Sequence, residues 1–557
     1  MMFHFTPKQL IFLLFFSFGL TPLFAQQYFY FAAFKDKPHY EDIVYTPSLY
    51  LSQKAIERRT INKIPLNPND VPPDSAYIAA LAKLPLYIFG QSRWFNGCIV
   101  LVSDKNVQEQ IKALPFVATV TYLGPANYLD ESDESRELPL ENQLLMLEQS
   151  FENKKLKEDS ILVGKSKKQL ALIGSDSLLK SNIGGQGVLI AVLDAGFLNM
   201  DKLIPFRHLF NQKRIVAAWD FVEHEEEVFE DDEHGLAVMS CLAAYQPGVI
   251  MGSAPNANYL LLRTENASSE YLYEEYLWAI AAEFADSCGA DIINSSLGYT
   301  KFDDRSMGHK YSDLDGKTTV VTRAAEIAAS KGILVVASAG NEGNNSWRQI
   351  SAPADGENVI AVGAVDSYGG YVGFSSVGPS ADKRIKPDLA AMGKSITLIN
   401  ESGRIYEGNG TSYACPIVSG ALAQLLQQAP QASSLKIRTA IELSCPNFLE
   451  PDKYLGAGIP DLLLASKMVT AIGDSLIDVR LSSDQKEILL TLHSRSKQQV
   501  SFTLNHAILG EQANGLLTLQ KGLNRLPIKL NKKRPSGFYQ LGVQFKLFKS
   551  ELSISIP

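Results

Sequence analysis

The chain has 557 residues, enough to bury a large core, and this length predicts several domains. Hydrophobic residues make up 46% and charged residues 20%, which is typical of an ordinary globular protein. The net charge of −8 argues against nucleic acid as a partner.

Residues 1–25 have the pattern of a secretory signal peptide. Lys8 carries a positive charge, the apolar run 9–20 follows it, and the small residue Ala25 ends the segment. We expect cleavage after Ala25 and export of the mature protein, to the medium or the cell surface. The alternative is an uncleaved membrane anchor, which the shortness of the apolar run and Pro22 disfavour.

Five cysteines are few, and odd in number, for an exported protein. They are widely spaced and form no Cys-x-x-Cys pattern, so we do not expect them to bind metal. We predict that most of them are buried as small apolar residues, and we assign no disulfide pairing.

Residues 26–125 are predicted to form a small α+β unit, in which Ser52 caps a helix. Its strand-like and helical segments are 29–34, 52–59, 98–102, 107–114 and 117–123. Residues 126–165 then carry runs of charge, and we interpret them as a solvated linker at a domain boundary. Such a segment is where a proteolytic cut is easiest.

Residues 166–469 alternate apolar strands with helical runs such as 273–288 and 319–330. The strand-like segments are 187–196, 258–263, 290–294, 332–339 and 359–364. This alternation predicts an α/β domain with a mostly parallel sheet and helices on both faces. In such a domain, functional residues lie at the carboxyl ends of the strands.

Residues 470–557 change pattern again, to short strands separated by turn residues. Alternating apolar residues occur at 487–492, 499–504 and 540–545. We predict a small antiparallel β-sandwich.

Four polar residues lie at strand ends or helix starts of the α/β region. Asp194 ends a buried strand, Asn341 follows another one, and His234 precedes a helix of small and apolar residues. Ser412 stands where a Gly-Thr-Ser turn leads into a helix, and Pro416 is expected in the first turn of that helix. Singly, each polar residue has an ordinary explanation as a turn residue or a helix cap. Together they indicate a catalytic set.

These residue types suit nucleophilic catalysis. A serine hydroxyl needs a base within hydrogen-bond reach, and an imidazole base needs a carboxylate that holds its tautomer. The tetrahedral intermediate needs preorganised donors, which the Ser412 amide and the Asn341 side chain can supply.

The order Asp194, His234, Asn341, Ser412 resembles that of the subtilisin-like (subtilase) serine peptidases. The resemblance covers about 168–467 and includes Ala191–Gly196 around the Asp, His234-Gly235, and Gly410–Ser412. It implies that Asp194, His234 and Ser412 form the triad and that Asn341 helps to bind the oxyanion. It also implies that Ser296, Leu297 and Gly298 pair with the substrate backbone, and that further contacts come from Ser338, Ala339, Gly340 and Ser351.

The chain departs from the family pattern at positions that remove no catalytic group. Leu236 and Ala237 follow His234-Gly235 where the family usually has Thr and a second His, and Tyr413 follows the nucleophile where a small residue or Met is usual. Ser351 stands where a Gly often forms the base of the P1 pocket, so an altered pocket is expected.

The resemblance also implies roles for the flanking regions. Residues 26–125 are expected to be an inhibitory propeptide whose tail crosses the active site until it is cut near the charged linker. Gly537–Tyr539 before a final strand resembles the C-terminal sorting domain of type IX-secreted bacterial proteins, which implies secretion machinery as a partner. The alternative for this region is a plain accessory β-domain.

Acidic residues crowd the approach to His234, between Glu223 and Glu233. Oxygen-rich loops bind Ca²⁺, which many subtilases use, but this spacing matches no loop template. We therefore favour a solvated acidic loop, which would raise the pKa of His234 or favour basic substrates. No cofactor is required for the chemistry, and no metal ligands are assigned.

We conclude that the sequence encodes an exported serine endopeptidase that acts on peptides and proteins. One alternative is a catalytically silent protein with the same fold that serves as a binding or surface protein. Another is an esterase-like hydrolase with the same triad, although the segment Ser296–Gly298 favours peptides.

Overall fold

The computed structural model of the chain describes residues 26–126, 163–471, 475–481, 487–494, 496–506, 510–529, 537–544 and 549–556. The signal peptide predicted at 1–25 lies outside these residues, as does nearly all of the linker predicted at 126–165. Within the described residues, no helix combines the length and apolar character needed to cross a membrane.

The N-terminal region is an α+β unit, as predicted. Its four antiparallel strands are β1 (Gln27–Phe34), β2 (Tyr87–Ser92), β3 (Gly97–Val102) and β4 (Val117–Ala126), in the order β2-β3-β1-β4. Its helices are α1 (Tyr40–Val44), α2 (Gln53–Asn62), α3 (Ser75–Leu81) and α4 (Val107–Lys112). Ser52 caps α2 as predicted, because its side chain accepts a hydrogen bond from the Ala55 amide at 3.2 Å.

Strand β1 contributes to two different cores because successive side chains of a strand point to opposite faces. Tyr30, Ala32 and Phe34 pack inside the N-terminal region, whereas Phe29 and Phe31 pack against the central domain. The sheet of the N-terminal region is thereby sandwiched between its own helices and the next domain.

The central domain contains seven parallel strands, which confirms the predicted α/β class. They are β5 (Leu189–Asp194), β6 (Ile215–Asp220), β9 (Asn258–Arg263), β10 (Ile292–Ser295), β11 (Leu334–Ser338), β12 (Ile360–Val365) and β13 (Leu389–Met392). Two hairpins lie beside the sheet: β7 (Tyr245–Gln246) with β8 (Ile250–Met251), and β14 (Ile396–Ile399) with β15 (Ile405–Gly408).

The sheet order is β13-β12-β11-β10-β5-β9-β6. The chain begins in β5, adds β6 and β9 on one side, and then adds β10 to β13 on the other side. The direction of winding therefore reverses between β5 and β10, and in such sheets the crevice at that point is where ligands bind.

Nine helices of this domain are described, and the longer ones cover both faces of the sheet. They are α5 (Lys167–Ala171), α6 (Ser175–Lys180), α7 (Arg207–Asn211), α8 (His234–Leu242), α9 (Tyr273–Cys288), α10 (Val320–Ser330), α11 (Thr411–Gln428), α12 (Ser434–Ser444) and α13 (Leu462–Thr470). Ile190 and Val192 of β5 face α8 and α11, whereas Leu189, Ala191 and Leu193 face α9 and α10. Burial on both faces explains the uninterrupted apolar strands.

Pro416 corrects one prediction, because it is the sixth residue of α11 and lies in the second turn rather than the first. The five cysteines are all buried, as predicted for small apolar residues, and all five are free.

The C-terminal region forms the predicted β-sandwich. One sheet has the order β16-β17-β20 and the other β19-β18-β21-β22, and both contribute to one apolar core. Its strands are β16 (Ser475–Leu481), β17 (Glu487–Ser494), β18 (Gln498–His506), β19 (Gly510–Leu519), β20 (Gly522–Lys529), β21 (Gly537–Gln544) and β22 (Lys549–Ile556). Buried Arg525 joins it to the central domain by donating hydrogen bonds to the carbonyl oxygens of Leu443 and Cys445, at the end of α12.

Candidate active site

Asp194 and His234 meet at the carboxyl end of β5. Asp194 is the last residue of β5 and is fully buried, and His234 is the first residue of α8. Nδ1 of His234 lies 2.6 Å from Oδ1 of Asp194. A carboxylate only accepts hydrogen bonds, so Nδ1 carries the proton and Nε2 of the neutral ring is left as an acceptor.

The carboxylate of Asp194 is held by one further bond, in which the Ala195 amide donates to Oδ1 at 2.9 Å. Oδ2 is buried and has no hydrogen-bond partner among the described residues. This poorly solvated charge is well placed to stabilise a positive imidazolium.

The surroundings of His234 favour its charged form. Burial lowers the pKa of His234, but the charge of Asp194 and the hydrogen bond to it outweigh burial. The charges of Asp232 and Glu265 act in the same direction, so that the pKa is raised from its usual 6.5. Asp232 also accepts a hydrogen bond from the His234 amide at 2.7 Å, which fixes the start of α8.

Ser412 is the second residue of α11 and is nearly buried, with an exposed fraction of 8%. Its Oγ donates a hydrogen bond to the carbonyl oxygen of Ser296 at 3.1 Å. Within the described residues this hydroxyl forms no hydrogen bond to Nε2 of His234, although both residues line the same cleft.

Asn341 follows β11 and is oriented by the start of α11. Its Oδ1 accepts hydrogen bonds from the amide and the hydroxyl of Thr411, at 2.9 and 3.0 Å. The Thr411 hydroxyl in turn accepts from the Gly340 amide at 3.2 Å. These bonds identify the oxygen of the Asn341 amide. Its Nδ2 has no acceptor among the described residues, and Asn341 lines the cleft. Thr411 comes close enough to orient Asn341 only in the folded chain, and no pattern in the sequence predicted this contact.

The cleft has a volume of about 530 Å³ and joins the ends of β5, β9, β10 and β11 to the start of α11. Among the predicted substrate-contacting residues, those that line it are Ser296, Leu297, Gly298, Ser338, Gly340 and Ser351. Ala339 does not line it, because its side chain is fully buried in the core on the α9 and α10 face.

Ser351 forms the floor of one part of the cleft. A β-carbon added to Gly298 would lie 2.7 Å from its Oγ, and one added to Gly340 would lie 2.4 Å from it. Gly340 also has φ of +105°, a conformation that side chains rarely adopt. The two glycines therefore make room for the Ser351 hydroxyl, which gives this pocket a polar floor.

Three of the residues that depart from the family pattern serve packing. Leu236 and Ala237 are buried inside α8. The Tyr413 ring lies beside His234, with 6.2 Å between ring centroids, and burial raises the pKa of its hydroxyl.

A group of carboxylates that sequence reasoning did not select also lines the cleft. Glu265 and Glu270 lie in the loop between β9 and α9, and Asp303 lies beyond Tyr299. Burial raises the pKa of Glu265 to about 7, although the hydrogen bonds from Tyr299 and Thr264 act against it. Burial, followed by the charges of Glu265 and Asp303, raises the pKa of Glu270 to about 8. A short acidic loop has no recognisable pattern, so only the folded chain reveals this wall.

Arg263 forms ion pairs with Glu223 and Asp231 of the acidic segment before His234. Most of the acidic side chains of this segment are exposed, as predicted for a solvated loop. Nη1 of Arg263 lies 2.5 Å from Asp220, 3.3 Å from Glu223 and 2.9 Å from Asp231. Asp220 is buried, and burial raises its pKa to about 6 despite the arginine.

Neither cluster of carboxylates supplies by itself the full ligand set of a calcium site. Ca²⁺ takes about six to eight oxygen ligands. Asp220 is already engaged by Arg263 and by two backbone amides. In the second cluster, both oxygens of Glu274 accept backbone amides, which leaves too few free oxygens on Glu265 and Glu270.

The sequence that surrounds the site is similar to the sequences of known proteins. Residues 185–458 match the model of the subtilase family, and residues 29–137 match that of the peptidase S8 propeptide domain of Bacteroidota. Subtilisin DY of Bacillus licheniformis is 30% identical over 300 residues, which cover 54% of this chain and 97% of that protein. Subtilisin NAT of Bacillus subtilis subsp. natto is 30% identical over 302 residues, 54% of this chain and 70% of that protein. The crystal structure of MycP1 from Mycobacterium smegmatis aligns with a TM-score of 0.43 at 21% identity, covering 56% of this chain and 89% of that one.

Proposed function

Because the chain belongs to the subtilase family of serine peptidases, we propose that it is an endopeptidase with Ser412 as nucleophile, His234 as base and Asp194 as orienting carboxylate. The observation that supports this most is the 2.6 Å contact between buried Asp194 and His234, with His234 and Ser412 lining one cleft. The contact leaves Nε2 of the neutral imidazole able to accept a proton.

In the proposed reaction, Oγ of Ser412 attacks the carbonyl carbon of the scissile bond while its proton passes to Nε2 of His234. The π electrons of the carbonyl move to its oxygen, which receives hydrogen bonds from Nδ2 of Asn341 and the Ser412 amide. Collapse of this intermediate breaks the C–N bond, and the leaving amine takes the proton from His234. Water then attacks the acyl ester in the same way, which releases the acid and restores the Ser412 hydroxyl.

One contact favours the alternative of a catalytically silent protein, namely the hydrogen bond from Ser412 Oγ to the Ser296 carbonyl. A change of χ1 rotamer would redirect Oγ, and hydrogen bonds between catalytic residues are often poorly formed before substrate binds. We therefore interpret this contact as a resting position of the nucleophile.

A fluorophosphonate probe distinguishes the two functions, because it reacts only with an activated serine. We expect labelling of the processed protein and digestion of an unfolded protein substrate, and loss of both in Ser412→Ala. The exposed Ser402 provides a matched control, since Ser402→Ala should retain labelling. Absence of labelling in correctly processed wild-type protein would support the silent alternative.

We also propose the domain boundaries and the location. The match at 29–137 supports an N-terminal propeptide that inhibits the peptidase until it is cut within 126–165, and the pattern of residues 1–25 supports export. The C-terminal sandwich is proposed as a sorting or accessory domain. N-terminal sequencing of the protein recovered outside the cell tests export and the maturation cut, with a new terminus after Ala25 or within 126–165 as the expected result.

A further inference from the structure

One wall of the catalytic cleft is lined by carboxyl groups that, in the part of the chain that the structure describes, have no cation beside them. We call Glu265, Glu270 and Asp303 the acidic wall, and all three line the cleft. None of them forms an ion pair within the described residues, and no lysine or arginine is among the residues that line the cleft. A buried carboxylate normally has a cation or several hydrogen-bond donors nearby.

The hydrogen bonds of the acidic wall leave oxygens unpaired toward the cleft. Oε1 of Glu265 accepts from the Tyr299 hydroxyl at 2.5 Å and from the Thr264 hydroxyl at 2.7 Å, but Oε2 has no partner among the described residues. Glu265 is nevertheless more than nine-tenths buried. The side-chain oxygens of Glu270 also lack partners there, and its backbone amide donates to Asp303 at 3.2 Å.

The position of the wall relative to the nucleophile defines the part of a peptide that would meet it. Ser296 contacts Ser412, and the segment continues through Gly298 to Tyr299, away from the nucleophile. Glu265 is bonded to Tyr299 at the far end of this segment. A peptide extended along the segment would place its scissile bond at Ser296 and residues a few positions away beside the acidic wall.

We propose that Glu265 and Glu270 bind a lysine or arginine side chain of the substrate, on the acyl side of the scissile bond and beyond the residue that occupies the Ser351 pocket. This inference rests on the proposed peptidase function and names the substrate class of the same cleft. The substrate cation would supply the missing counter-charge, and the free oxygens would accept its N–H groups. Burial is the main cause that raises the pKa of both carboxyl groups, so they fall short of full ionisation without such a cation.

The test uses the processed full chain and peptide p-nitroanilides that differ at one residue. Lysine, norleucine or glutamate is placed two, three or four residues before the cleaved bond. Norleucine has the four-carbon side chain of lysine without the terminal ammonium group. We expect kcat/KM for lysine to exceed that for norleucine by roughly 10- to 100-fold at one of these positions. The free energy of a hydrogen bond to a charged group corresponds to a factor of about this size. Glutamate should be the poorest.

Two variants make the test specific to the acidic wall. Glu270→Gln should lower the ratio of lysine to norleucine kcat/KM about tenfold. Glu357→Gln removes the same charge from an exposed position outside the cleft and should leave that ratio unchanged. Equal ratios in Glu270→Gln and wild type would overturn the assignment to this wall.

The remaining outcomes separate this inference from the proposed function. If norleucine and lysine peptides are cleaved equally well at all three positions, the inference is wrong while the peptidase function stands. If the protein neither cleaves any peptide nor reacts with a fluorophosphonate, both fail. If calorimetry with CaCl₂ alone shows a cation bound in wild type but not in Glu270→Gln, and CaCl₂ abolishes the lysine preference, the wall is a cation site instead.

Discussion

The hydroxyl of Ser296 donates a hydrogen bond to the carbonyl oxygen of Ser412 at 2.8 Å. In a regular α-helix this carbonyl would accept from the amide four residues later, but that residue is Pro416, which has no N–H. The strand segment that is proposed to pair with substrate thereby satisfies the backbone of the nucleophile itself. The hydrogen bond between Ser296 and Ser412 therefore links the end of β10 to the start of α11.

Removing this donor should destabilise the fold. In Ser296→Ala the buried Ser412 carbonyl loses its partner, and we expect the free energy of unfolding to fall by about 1–3 kcal/mol. Adding Pro416→Ala restores an N–H at the helical position and should recover part of the loss. Denaturant unfolding measures both, in a Ser412→Ala background that prevents self-digestion.

Ser181→Ala is the matched control for this pair, because Ser181 makes a similar hydroxyl-to-carbonyl bond at an exposed position. Its effect should stay within about 0.5 kcal/mol. If Ser296→Ala costs as much with Pro416→Ala as without it, the Ser412 carbonyl is not the group that matters.

The oxyanion donor can be tested by the balance of kcat and KM. Asn341→Ala removes Nδ2 from the cleft, and loss of one such donor typically lowers kcat by about 10²- to 10³-fold. KM should change little, because the bond is made in the transition state. Asn345→Ala alters an exposed residue of the same loop and should leave kcat unchanged. A variant that raises KM alone would assign Asn341 to substrate binding instead.

The raised pKa of His234 predicts the acid limb of the pH profile. His234 must be neutral to accept the Ser412 proton, so kcat/KM should rise with pH through a value above the ordinary 6.5. The pH dependence of stability has the opposite sign. The raised pKa contributes stability below the unfolded value of about 6.5, and this is lost as the pH rises through the folded pKa.

Asp232→Asn should move this limb to lower pH, because it removes a negative charge while keeping an oxygen that accepts the His234 amide. The pH dependence of kcat/KM measures the shift. Glu230→Gln, at an exposed position two residues earlier, should have a smaller effect because solvent screens its charge. If the acid limb stays in place or moves to higher pH in Asp232→Asn, the charge of Asp232 does not raise the pKa of His234.

The contact between the propeptide region and the central domain depends on Asp286 of α9. This buried carboxylate accepts from Arg58, from Arg59 at 2.8 Å and from Arg93 at 2.7 Å. Asp286→Asn would leave buried guanidinium charge uncompensated. We expect a loss of about 3–5 kcal/mol in unfolding of the uncut Ser412→Ala protein.

Glu109→Gln serves as the control, because Glu109 pairs with Lys112 on the exposed face of the same region. Its effect should be within about 1 kcal/mol. An Asp286→Asn variant as stable as this control would show that the arginines find other partners.

The same contact should withstand mild acid. Burial raises the pKa of Asp286, but the three arginines outweigh it and lower the pKa to about 2. The resulting stability is present above the unfolded value of about 3.8 and is lost only as the pH falls toward 2. Unfolding of the uncut protein between pH 5 and pH 2 measures this. If this stability is already lost at pH 5, titratable groups other than Asp286 control it.

Local signals predicted the elements well where they were strong. Helix α9 spans the predicted 273–288 and ends before Gly289, which has φ of +87°. The capping role of Ser52 and the strand ending in Asp194 also follow from short-range patterns. Pro416 was placed one turn too early because helix starts are defined by hydrogen bonds, which residue types alone do not locate.

By itself the sequence determined the elements, their alternation and the chemical types at the strand ends, because these depend on periodicity and on neighbours along the chain. Only the tertiary structure decided that Glu265 faces the cleft with a free oxygen, that Arg263 holds the acidic segment, and that Ser296 replaces the amide missing at Pro416. Each of these contacts joins groups brought together by packing the ends of parallel strands. Their energies depend on burial and distance, which no stretch of sequence specifies.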